Sequence, residues 1–233
     1  MRLISAPSAA RGDLGAELNP VPLGALTLLA WLSLAGHLRA ESRGPRWQVY
    51  LFKPLTTGLL LAVALLAPGP AGSRYQMAVA AGLGFSLVGD VWLMLPRDHF
   101  VPGLCSFLLA HLAYVVAFTS GLRPLAAPGL LLPPLLVALI LLRRVWPVPP
   151  GLGPPALAYA AVLVAMTWRA LARSWLIQTP GATLAAMGAG LFLLSDGALA
   201  LQRFRGPFRF DHGVIMLTYV AAQTLIAWST DYR

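Results

Sequence analysis

Two aspartates, Asp90 and Asp196, and one lysine, Lys53, sit inside stretches that are otherwise apolar. Ionisable side chains inside hydrocarbon are costly, so they turn toward a protein interior and mark a candidate site. Two confined carboxylates suit acid–base chemistry, one keeping its proton to donate and the other ionised. The apolar flanks of Asp90 (Val88, Val91, Trp92) make it the expected donor and Asp196 the ionised partner. Candidate helpers follow from helical spacing. Phe107, His111, Tyr114 and Phe118 share one face, and His212, Met216, Tyr219 and Gln223 share another. Ser86 precedes Asp90 by one turn, in a seam with Gly82 and Gly89 suited to close helix packing. Bland readings stand beside these: Lys53 and one Asp as a structural ion pair, and His111 as a packing residue. Tyr159, Tyr219 and Gln223 read as supporting groups. Arg169 reads as snorkelling to lipid phosphates, while His37, His99 and His212 need no special account at the ends of their segments.

Other chemistries lack their patterns. There is no His pair at i,i+4 spacing and no Cys/His cluster, so neither a metal nor another cofactor is expected. There is no Gly-x-Ser-x-Gly elbow for a nucleophilic serine. The single Cys105 cannot form an internal disulfide.

The elements that must position these residues are membrane spans. The chain has 233 residues, 58% hydrophobic and 11% charged, with mean hydropathy +0.73; soluble domains carry about a quarter charged residues. Apolar stretches of roughly 17–22 residues recur, each long enough for the ~30 Å hydrocarbon core. Eight spans are expected, at 21–37, 47–67, 75–95, 100–119, 125–142, 152–172, 181–202 and 211–229. Short breakers such as Pro68-Gly69-Pro70 and Pro96-Arg97-Asp98 separate them, so consecutive spans run antiparallel. Residues 1–20 have no apolar core and read as a mobile tail rather than a signal peptide; 21–233 form one transmembrane domain. The formal charge of +9 comes from residues scattered at span ends, which argues against nucleic acid and for a lipid bilayer as surroundings. Ten of the seventeen basic residues flank odd-numbered loops, a mild bias that puts those loops in the cytoplasm and both termini outside.

The sequence also repeats. Gly82 to Leu95 and Gly188 to Leu201 both read Gly-x-Gly-x-x-Leu-x-x-Asp-x-x-Leu-x-Leu, 106 residues apart (90 to 196). The offset aligns Lys53 with Tyr159 and the half 21–119 with 125–229. Four crossings per half give both copies one orientation, so the expected fold is an all-α bundle of two parallel four-helix repeats. Lys53, Asp90, Asp196 and Tyr159 then enter at similar depth from the odd-loop face. One cavity is expected to hold Lys53, Asp90, His111, Asp196 and Tyr219.

At these residues the chain resembles the lysoplasmalogenase family, YhhN-like in bacteria. The matching stretches are Lys53-Pro-Leu-Thr-Thr57, Gly82 to Pro96 and Phe100-Val-Pro-Gly-Leu104. They continue through Ala110-His111-Leu-Ala-Tyr114 to Phe118, then Leu191-Phe-Leu-Leu-Ser195-Asp196 and Thr218-Tyr219 to Gln223, within residues 47–229. The resemblance implies a multi-pass protein of the bacterial cytoplasmic membrane. It implies hydrolysis of the vinyl-ether bond of a lysophospholipid, lysoplasmalogen, to a fatty aldehyde and glycerophosphoethanolamine or glycerophosphocholine. Asp90 and Asp196 would then be catalytic. Lys53, Ser86, His111, Tyr114, Tyr159, Tyr219 and Gln223 would bind or support. A lipid or small-solute transporter with a polar intramembrane site, or a lipid-binding protein without catalysis, fits the same residues. Headgroup, chain length and oligomeric state stay open.

Overall fold

In hydrocarbon, backbone N–H and C=O groups can be satisfied only within the chain, so long apolar segments become helices. The computed structural model describes residues 22–68 and 73–231. Its helices are α1 (Leu23–Arg43), α2 (Arg46–Leu66), α3 (Arg74–Met94), α4 (Phe100–Thr119), α5 (Leu132–Val145), α6 (Gly153–Ile177), α7 (Pro180–Arg205) and α8 (Asp211–Trp228). A 3-10 turn, Pro128–Leu131, leads into α5. Among the described residues there is no strand. With the turn and α5 taken together, seven segments are long and apolar enough to cross a membrane. The 18-residue α8 is less apolar because it turns polar residues inward: Asp211, Tyr219 and Gln223 are buried. The chain is an integral, multi-pass membrane protein with an all-helical fold. The expected tail, 1–20, lies outside the described residues.

Local chemistry sets the ends. Ser73 accepts a hydrogen bond from Gln76 N at 3.2 Å and opens α3; Thr179 does the same for α7 through Ala182 N at 3.3 Å. Prolines occupy the first turns of α5, α6 and α7, where the missing N–H has no helical partner to lose. Pro133 and Pro134 start α5 later than the expected span at 125, and it runs on to Val145. Two helices outrun their apolar cores: α1 ends at Arg43 instead of 37, and α6 at Ile177 instead of 172. Polar residues extend each beyond its core, Arg39 to Arg43 in α1 and Arg173-Ser174 in α6, which then runs on through Trp175-Leu-Ile177.

Neighbours in sequence pack as neighbours in space, α1 through α4 and α5 through α8. Contacts of α4 with α6 and of α8 with α2 tie the halves, and exchanging the halves turns one contact into the other. The exchange fails around α5, and α3 touches α8 with no comparable contact of α7 with α4 among the described residues. Helix α1 packs on α8, whereas α5 leans on α7 and has no comparable contact with α4 among the described residues.

The seam on α3 works by close approach. A Cβ on Gly82 would lie 2.2 Å from a ring carbon of Tyr114, and one on Gly89 2.6 Å from the Phe107 ring, so both rings of α4 lie flat on α3. Arg169 corrects the snorkelling expectation. It is 3% exposed, and donates to Thr119 Oγ1 (3.1 Å), Pro124 O (2.9 Å) and Arg123 O (3.0 Å). Free carbonyls after α4 need donors inside the fold, so the guanidinium fastens the connection leaving α4.

Candidate functional site

Lys53 stands about two turns into α2, and Asp90 faces it from α3. Asp90 is 2% exposed, with Lys53 Nζ 3.6 Å from its Oδ1. Its Oδ2 accepts from Thr57 Oγ1 at 2.6 Å and from Tyr219 Oη at 2.8 Å. Thr57 follows Lys53 by one turn, so one face of α2 supplies both partners, and α8 supplies the third. The set is one carboxyl met by one amino group and two hydroxyl donors.

Asp196 has different company. Tyr159, aligned with Lys53 in the repeat, donates its phenol to Asp196 Oδ2. His111, fully buried on α4, points Nε2 at the same oxygen from 3.6 Å, beyond hydrogen-bond length. Its ring stands edge-on to Tyr159 and Phe192, and neither ring nitrogen has a hydrogen-bond partner among the described residues. Thus equivalent positions of α2 and α6 answer equivalent carboxylates, one with an ammonium and one with a phenol.

The two carboxylates do not line one cavity. Asp196 and Tyr159 line a cleft between α4, α5, α6 and α7, and among the described residues theirs are the only polar side chains on its walls. Phe100, Leu104 and Phe107 form its α4 wall; Ala138, Leu141, Leu142 and Val145 form its α5 wall. The cleft is therefore the space left where α5 stands off α4. Asp90 lines no part of it. Aromatic rings join the clusters: Tyr219 meets Phe107 at 5.9 Å and Phe192 at 5.6 Å, both edge-on. The expected single cavity is two linked clusters, because Asp90 faces α2 and α8 while Asp196 faces α6 and α4.

A second space opens at the odd-loop face. This polar vestibule of about 620 Å³ is lined by Lys53 together with His37, Glu41, Arg97, Asp98, His99, Gln202, Arg203 and His212. Leu93, Phe100 and Leu199 line both vestibule and cleft, so the two adjoin. Arg203 bonds Asp98 at 2.5 Å and lies over the Phe100 ring. The Arg203 hydrogen bond holds the Asp98 carboxyl below the usual carboxylate range. Such a tie is fully present above the unfolded-state value and is lost only as pH falls through the lower folded value, so Arg203 stays committed to Asp98 near neutral pH.

Comparison with known proteins places this arrangement. The model of the YhhN family matches residues 48–230. The chain belongs to the YhhN family. It is 34% identical over 214 residues to the uncharacterized membrane protein YhhN of Escherichia coli O6:H1, covering 88% of this chain and 96% of that protein. It is 42% identical over 188 residues to the lysoplasmalogenase TMEM86B of Homo sapiens, 78% of this chain and 75% of that one. With the lysoplasmalogenase TMEM86A of Bos taurus it shares 35% identity over 216 residues, 82% and 85% of the two chains. No solved structure matches.

In this YhhN family member the remaining predicted residues lie beside the two clusters. Tyr114 Oη donates to Gln223 Oε1 at 2.7 Å, one turn beyond Tyr219 on α8. Ser86 is fully buried in the glycine seam. Sequence reasoning missed Thr57, although its i+4 spacing from Lys53 put it in reach. It also passed over His37 and His212, which approach Glu41 at 3.6 and 3.2 Å. Their place at helix ends looked like ordinary interface polarity; only the meeting of α1, α7 and α8 makes them one wall.

Proposed function

We propose that this YhhN family chain is a membrane-embedded hydrolase of lysoplasmalogen, opening the vinyl-ether bond to a fatty aldehyde and a glycerophospho-alcohol. One observation carries the reading: a largely buried carboxyl, Asp196, lines an otherwise apolar cleft together with Tyr159, and His111 stands 3.6 Å from it. Relatives at 35–42% identity over most of the chain are named lysoplasmalogenases.

The chemistry needs a proton delivered to carbon, then a water. Protonated Asp196 gives its proton to the β-carbon of the vinyl ether, whose π electrons form the new C–H bond. The ether oxygen then shares the positive charge of an oxocarbenium ion. Water adds to the carbon bonded to the ether oxygen and returns a proton to the Asp196 carboxylate, and the hemiacetal collapses to aldehyde and alcohol. One carboxyl thus serves as acid and then base. Tyr159 orients it, and His111, aimed at it without bonding it, holds the water. Asp90, met by Lys53 and absent from the cleft walls, is the ionised partner. It positions Lys53 and Tyr219 instead of meeting substrate. That reverses the roles expected from the flanking residues, because Lys53 faces Asp90 while Asp196 alone of the two lines the cleft.

The test is aldehyde release by purified chain from an alkenyl lysophospholipid, beside its acyl-ester and saturated alkyl-ether counterparts. Only the alkenyl substrate should react, and in D2O the aldehyde should gain one deuterium at the carbon next to the carbonyl. Cleavage of the ester at a comparable rate would refute the vinyl-ether assignment.

A further inference from the structure

The charge pattern of the vestibule is more specific than its polarity. Its five fully charged side chains are Lys53, Arg97 and Arg203 against Glu41 and Asp98. Two cations are already answered, Lys53 by Asp90 and Arg203 by Asp98. That leaves one guanidinium, Arg97, with no side-chain hydrogen bond or ion pair among the described residues, and one carboxylate, Glu41, beside two imidazoles. A single unanswered cation and a single anion with no Lys or Arg partner share a space that adjoins the apolar cleft at Leu93, Phe100 and Leu199. We propose that the vestibule is the subsite for a zwitterionic phosphodiester headgroup, with Arg97 holding the phosphate and Glu41 the terminal ammonium. This rests on the hydrolase reading and adds a selectivity that the reading does not require.

The physical reasons are separable. A guanidinium offers a planar fork of donors that suits phosphate oxygens. A carboxylate suits an ammonium and rejects a second anion. A net-neutral pair of free charges favours a zwitterion over a headgroup with surplus negative charge. The shared apolar wall puts the headgroup at the odd-loop face while the chain lies in the cleft, so the vinyl ether falls between them, beside Asp196.

The experiment measures binding as well as turnover, using full-length protein in nanodiscs. The probes are a saturated 1-O-alkyl lysophosphoethanolamine, which has no vinyl ether to protonate, the matching 1-O-alkyl-glycerol-3-phosphate, headless 1-O-alkylglycerol, and free glycerophosphoethanolamine. Arg97→Gln should weaken both phosphate-bearing lipids about tenfold relative to alkylglycerol. Glu41→Gln should weaken the ethanolamine lipid relative to the bare phosphate lipid. Arg74→Gln, at the opposite end of α3, should change none of these affinities. Arg97→Lys should recover part of the loss, which separates lost charge from lost fold. An equal loss on all lipids, or none, would overturn the subsite, as would free glycerophosphoethanolamine binding as tightly as the lipid. Selective binding without aldehyde release from an alkenyl substrate would keep the subsite and sink the hydrolase reading. Aldehyde release that ignores both substitutions would do the reverse.

Discussion

At Asp90 an ammonium and two hydroxyls surround one carboxylate. Asp90→Asn would therefore leave the Lys53 charge buried without its counter-charge. Losing one partner of a buried pair costs about 3–5 kcal/mol. A hydrogen bond between membrane helices contributes only about 0.6–2 kcal/mol. Asp90→Asn should thus lower the thermal midpoint far more than Thr57→Val, and neutralising Lys53 in the same chain (Lys53→Gln) should recover much of the loss. A double-mutant cycle on thermal stability checks this; additive losses would exclude the pairing. The sequence made both aspartates and Lys53 visible because charge inside apolar runs is conspicuous. Which aspartate meets the cation was not visible. That depends on whether the facing helix offers Lys53 or, one repeat later, Tyr159.

Among the helices, the standing-off of α5 matters most for substrate. Where α1 closes on α8, α5 leaves the cleft open beside α4. Ala156 of α6 lines that cleft, so Ala156→Phe should fill part of it and shift the preferred alkenyl chain to shorter lengths. A chain-length series of kcat/KM reads the shift, and an unchanged profile would place the chain elsewhere. On α3, a methyl at Gly82 meets the Tyr114 ring. Gly82→Ala should destabilise by about 1–3 kcal/mol, the usual range for overpacking, measured as a lower thermal midpoint. Most helix limits were legible because Pro, Gly and capping Ser or Thr act locally. The ends of α1 and α6 were not, since each runs past its apolar core through polar residues, Arg39 to Arg43 in α1 and Arg173-Ser174 in α6. The offset of α5 was equally hidden, because the repeat predicts that it sits as α1 does.

For the molecule as a whole, pairing α4 with α6 and α8 with α2 is the pattern two same-facing halves would make. Least-squares superposition should carry residues 23–119 onto 128–228 by rotation about an axis near the membrane normal, with α5 the worst-fitting helix. Halves related by inversion across the membrane plane would contradict the repeat. The all-helical membrane architecture could be read from composition alone, whereas the vestibule could not. Its wall comes from α1, α2, α7, α8 and the α3–α4 connection, elements far apart in the chain. The central claim is that Asp196 carries both proton transfers to and from an alkenyl lysophospholipid. It is tested most directly by aldehyde release from Asp196→Asn, measured alongside its thermal midpoint. Asn preserves size and hydrogen bonding, so the account predicts a folded variant whose turnover falls about 10²–10⁴-fold, the usual loss of general acid–base catalysis. A stable Asp196→Asn protein that releases aldehyde at near the parent rate would contradict it.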